Sequence, residues 1–196
     1  MKKAQLIMAA IAALVLGVSC SKDLDNKDNG SNTENNKTEE KAPGSYQLGE
    51  KTIEVGSATI TGDEYVTVTL IPSAAGATGF YDFVFNSASR ADDGQFHELK
   101  DLASSFQIRS INEDNTSNVI MAGYSVVLNG EFDEKYAWEK GNPLCTYTGK
   151  VKISRNENKL SFIVKDCRLN LLLKSDKTKT VSINLDASYE GTIKSK

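Results

Sequence analysis

Few side chains in this sequence are of types that do chemistry, and their spacing narrows what they could do. His97 is the only histidine, which excludes a zinc site built on two or three imidazoles and leaves a Cys-His pair only if a buried cysteine meets it. The cysteines are Cys20, Cys145 and Cys167. Cys145 and Cys167 fall in alternating segments that place them on one face of adjacent strands, opposite or one step diagonal. In an oxidising compartment they are expected to form a disulfide. The alternative is a pair of buried thiols beside Tyr147 and Leu169, because bond length and torsion leave narrow limits for a bridge between strands. No serine lies in a Gly-x-Ser-x-Gly elbow.

Acidic neighbours are the next candidates. Asp92-Asp93, and Glu131 with Asp133 and Glu134, have the carboxylates for acid-base catalysis or calcium, but adjacent loop acids are ordinarily just solvated. Asp25 to Asn36 carries a glycine at the sixth place of a calcium loop, yet Lys27 and Asn36 stand where acidic ligands are needed. Ala75-Gly76-Ala77-Thr78-Gly79 lacks the lysine of a phosphate loop. No catalytic set, metal or cofactor is therefore expected. Tyr136 and Trp138 remain, as aromatics in an irregular polar stretch that could form a platform for a sugar ring or a protein partner. The competing expectation is that they pack over an open end of the fold.

The elements that must position these residues read as strands. From Cys145 to Ile193 apolar and polar residues alternate, in Cys145, Tyr147, Gly149, Val151 and Ile153 and again in Val181, Ile183, Leu185, Ala187 and Tyr189. A period of two puts one face in a core and the other in water. A four-residue loop at Arg155 to Asn158 would set Ile153 opposite Leu160 and Val151 opposite Phe162. Beyond Val164 the apolar phase slips to Cys167, Leu169, Leu171 and Leu173, which predicts a β-bulge near Lys165-Asp166. Earlier, strands are expected over Thr52–Ile60, Tyr65–Ile71, Phe80–Asn86 and Phe106–Ile111, and one through Ile120, Ala122, Tyr124, Val126 and Leu128. Phe96, Leu99, Leu102 and Phe106 recur at three and four, predicting a short helix over 92–105 with Asp92 and Gln95 as a capping box and His97 on its polar flank. Glu131 to Pro143 fits neither period. The expected fold is all-β, an antiparallel sandwich or a closed barrel of about eight strands with one short helix.

The N-terminal part has a different composition. Met1 to Ser19 has a positive start at Lys2 and Lys3 and an apolar run from Leu6 to Val18, too short to span a bilayer comfortably. Leu16-Gly17-Val18-Ser19-Cys20 resembles the lipobox of bacterial lipoproteins, although the leucine sits one place early. The resemblance implies cleavage before Cys20 and acylation of that residue, each buried CH₂ of the lipid contributing about 0.8 kcal/mol to membrane binding. Loss of Lys2 and Lys3 takes the formal charge from −3 to −5. With no basic run, nucleic acid and anionic membrane surfaces are set aside as partners. Residues 20–44 are rich in Asn, Asp, Glu, Lys, Ser and Thr and are expected to form a disordered tether carrying a β domain over 45–196.

Tyr147-Thr148-Gly149-Lys150-Val151-Lys152 is echoed by Tyr189-Glu190-Gly191-Thr192-Ile193-Lys194. A strand glycine leaves a gap that a nearby ring can cover, so packing explains the echo. Together with Ala122-Gly123-Tyr124 and the leader, these residues resemble small surface lipoproteins of Bacteroidetes. Lys22-Asp23-Leu24-Asp25 is similar to their surface-export signals. The resemblance implies a β-sandwich or lipocalin-like barrel, lipid-anchored in the outer membrane and exposed at the cell surface, and brings no activity with it. A binding or interaction module for a glycan or protein is the expected role, with a structural or accessory subunit of a surface assembly as the alternative.

Overall fold

A computed structural model describes residues 42–74 and 79–194. The leader, Cys20 and the tether up to residue 41 lie outside the described residues, as do 75–78. The first strand is β1 (Gly44–Leu48), followed by β2 (Lys51–Thr61), β3 (Tyr65–Pro72), β4 (Phe80–Asn86) and β5 (Phe96–Glu98). After a single helical turn, α1 (Leu99–Leu102), come β6 (Phe106–Ile111), β7 (Ser117–Ala122), β8 (Ser125–Leu128) and α2 (Glu131–Lys135). The chain ends through β9 (Tyr136–Ala137), β10 (Thr146–Asn156), β11 (Lys159–Leu173), β12 (Asp176–Asn184) and β13 (Ala187–Thr192).

All the strands join one antiparallel sheet in the order β5-β10-β11-β13-β1-β2-β3-β4-β6-β7-β8, with β9 and β12 paired to β11 off that path. The sheet curls on itself. Phe83 of β4 lies 5.8 Å from Phe162 of β11, and Phe106 of β6 lies 6.2 Å from Tyr147 of β10, although those strands are far apart in the sheet order. Inward residues at every second position, among them Val68, Leu70, Tyr81, Phe83, Phe85 and Ile108, build the core. The sheet stays a half-barrel. Among the described residues no pairing joins the β5 and β8 edges, and the aromatic rings between the two flanks hold them apart. Of the expected antiparallel sandwich or closed barrel of about eight strands, the all-β antiparallel character holds, and the closed barrel is corrected to an open, curled sheet with an eleven-strand path.

Three details of the chain account for the extra strands. Ala122 pairs with Ser125 across Gly123-Tyr124, with Gly123 at φ 54, so the single strand expected over 120–128 is a hairpin. Glycine as the first central residue is what a two-residue hairpin turn of this kind needs. The turn changes the face: Val119 and Met121 are buried, not Ile120 and Ala122. Similarly, Val181 to Tyr189 is two strands, one paired with each half of β11 on the same side. The helix expected over 92–105 is mostly strand β5, the one turn of α1 and a 3₁₀ turn, which together mimic its three-and-four spacing. No capping box forms at its start; the Gln95 N–H donates to Asp93 Oδ1 at 2.8 Å.

The bulge in β11 is where the sequence places it. Thr148 faces Arg168 and Lys150 faces Lys165, so Gly149 stands against both Asp166 and Cys167. Asp166 is the extra residue, at φ 55. The turn before it is shorter than expected. Asn156 pairs with Lys159, leaving only Glu157-Asn158 in the turn and setting Ile153 opposite Phe162.

Candidate functional site

The turn decides the fate of the cysteines. With Tyr147 opposite Leu169 and Gly149 opposite the bulge, Cys145 is four residues along the ladder from the position that faces Cys167. At about 3.3 Å per residue the two are roughly 13 Å apart, beyond any disulfide. Both are free and buried, so the expected Cys145–Cys167 bridge is corrected. Cys145 Sγ accepts from the Glu139 N–H at 3.3 Å. Cys167 is fully enclosed, and burial pushes its thiol up to about 12.

His97 sits on β5, with Nε2 2.9 Å from Asp93 Oδ1. The hydrogen bond from His97, joined by the Gln95 N–H, holds the Asp93 carboxyl below its usual range. No hydroxyl or thiol shares this network among the described residues, and no three His, Cys, Asp or Glu side chains gather there into a metal cage.

Tyr136 and Trp138 are separated in role. Tyr136, in β9, packs with its ring tilted 44° and 6.2 Å from that of Phe132, and lines a hollow of about 340 Å³ together with the 3.6 Å Lys51–Glu131 ion pair. Trp138 does not line that hollow; it packs against the core with Nε1 buried and unpartnered in the protein. A two-ring platform is not formed. The space between Ile60, Val66, Phe85, Asp92, Ile153 and Arg155 is about 10 Å³, at most one water.

A larger concavity than the Tyr136 hollow lies on the outer face of the sheet. Cross-strand pairing lays Glu54, Ser45, Ser188, Ile163, Lys152 and Phe96 in one row across β2, β1, β13, β11, β10 and β5. A second row sets Glu190, Ser161 and Ser154 side by side. Adjacent strands are about 4.8 Å apart, so the first row spans roughly 24 Å. Crossing its β2-to-β11 part, and running along β11 and β13, is a trough of three adjoining hollows of about 290, 560 and 250 Å³, the first two sharing Ser161 and Glu190 and the last two sharing Ser45, Ile163 and Ser188. Its floor is short because serines alternate with the inward Tyr46, Phe162 and Tyr189. Glu54 and Glu190 line the trough itself. At the β10 and β11 side stand Lys150, Lys152 and Lys165, with Lys150 bridged to Glu98 at 3.0 Å. That bridge raises the Lys150 ammonium above its ordinary value. Hydroxyls, carboxylates and ammoniums on one extended floor can hydrogen-bond a polar chain lying along β11 and β13. The trough escaped the sequence reading because Ser45, Ser161 and Ser188 meet only through register.

No model of a known protein family matches this chain, and neither the curated proteins nor the solved structures contain a match to it.

Proposed function

We propose that this protein is a lipid-anchored binding module of the bacterial outer surface, of the kind found among small Bacteroidetes lipoproteins, taking its ligand in the outer trough. The trough carries the reading, since it is a broad polar-lined concavity while Phe83, Phe106 and Phe162 pack together in the interior. The leader and the cysteine at position 20 support the anchor. Two measurements test it. Radiolabelled palmitate is expected in the full chain and absent from Cys20→Ser. On a glycan array, Ser188→Trp, which fills the trough floor, is expected to abolish whatever binding the wild type shows; unchanged binding would refute the trough.

One observation favours the alternative, an accessory subunit of a larger assembly. The β8 edge, Ser125-Val126-Val127-Leu128, carries no charge, whereas the β12 edge carries Lys177 and Lys179 in ion pairs with Glu139 and Asp176. Charged lysines guard an edge against pairing, and β8 lacks them. Slow amide exchange at β8 only in the membrane-derived complex would support this second role.

A further inference from the structure

Lys165 lines the end hollow of the trough, and beside it Phe96 is 42% exposed with two ammonium groups over its ring, Lys165 Nζ at 4.0 Å and Lys152 Nζ at 5.7 Å from the centroid. Two like charges on neighbouring strands repel, and such pairs are ordinarily relieved by a nearby carboxylate. Here, among the described residues, neither lysine forms an ion pair. Of the surrounding acids, Glu98 bridges Lys150 at 3.0 Å, Asp186 accepts from the Cys167 N–H at 2.7 Å and from Arg168 at 3.1 Å, and Asp166, next to Lys165, forms no ion pair with either ammonium. What holds the ammoniums together is the negative face of the Phe96 ring.

We infer that Lys152, Lys165 and Phe96 form an anion-binding clamp that seats an acidic sugar residue of a polysaccharide lying in the trough. The inference rests on the trough as the binding region. Lys152 and Lys165 set the sign of the group seated between them, while Glu54 and Glu190 face the rest of the glycan in the central hollow. The class follows from the floor: inner strands β13 and β1 have their backbone groups paired on both sides, so an extended peptide finds no ladder to join, whereas Ser45, Ser161 and Ser188 offer hydroxyls suited to sugar hydroxyls. Phe96 is a positioning residue that keeps the two ammoniums aimed at one point before the anion arrives.

The test is affinity electrophoresis of the full chain in gels containing oligogalacturonate, dextran sulfate, neutral dextran or polyglutamate, at low and high salt. Retention by the carboxylated or the sulfated glycan, about tenfold stronger than by dextran and weakened by salt, is expected; the stronger arm tells which anion is seated. K152M/K165M should lose that preference while its thermal midpoint and dextran retention stay unchanged, and Phe96→Leu should weaken it several-fold with both lysines present. Equal retention of acidic and neutral glycans, no retention of either acidic glycan, or retention of polyglutamate as strong as that of the glycans would each overturn the clamp. Retention that depends on the lysines and is indifferent to Ser188→Trp would bring down the trough reading alone.

Discussion

At the scale of single residues, Gly149 and Cys167 explain each other. Gly149 has φ 137, and a Cβ there would lie 3.0 Å from Cys167 Cα and 2.9 Å from Leu99 Cδ1. Both the backbone conformation and the space demand glycine. Gly149→Ala should cost about 1–3 kcal/mol, measured as a lowered urea midpoint at unchanged slope. The companion Gly191 answers the same sequence pattern for another reason: the Tyr189 ring lies over it, with its hydroxyl donating to the Thr192 carbonyl at 2.8 Å. The expected covering of a strand glycine by a ring is thus found at Gly191, while at Gly149 the neighbours are Leu99 and Cys167. Iodoacetamide offered to the native protein should leave Cys167 unmodified, and denaturation should expose two alkylatable thiols at positions 145 and 167. Mass spectrometry that finds the two joined would contradict the register.

At the scale of elements, the Asp166 bulge lets β11 change partners. On one side it keeps β10; on the other it passes from β13 to β12 where Asp186 turns the corner. The Asp186 carboxylate accepts from the Cys167 N–H, and the Leu185 N–H donates to the Cys167 carbonyl at 3.0 Å, so the bulged backbone is satisfied. Deleting Asp166 would shift Cys167, Leu169 and Leu171 to the wet face and should abolish the cooperative thermal transition seen by circular dichroism. That bulge was legible because a phase slip in apolar residues is visible in one strand alone. So were β4 and β6, whose buried Tyr81, Phe83 and Phe85, and Phe106 and Ile108, recur at every second position. The β7–β8 hairpin was not, since Ala122-Gly123-Tyr124 keeps the parity of a straight strand while reversing the chain. The trough and the Phe96 clamp were illegible for a related reason: 69 positions separate Phe96 from Lys165, and only pairing of β5 and β11 with β10 brings them together.

At the scale of the whole molecule, one aromatic interior ties both flanks of the sheet. Burial, the first cause in each, raises the Cys167 thiol from 9.0 to about 12 and raises the Tyr81 hydroxyl, which donates to the Leu185 carbonyl at 3.2 Å. The unfolded chain loses those protons first as pH rises, so stability is complete below pH about 9 and falls steadily from there through about 12. Thermal midpoints taken across that range should drop monotonically, and the tyrosinate absorbance of Tyr81, read as the difference from Tyr81→Phe, should appear with unfolding rather than ahead of it. The fifteen-residue β11 has a further consequence for time. Its amides are flanked by strands on both sides over most of its length, so deuterium should reach them last, and any fragment that survives a partial opening will be the one wound around that strand.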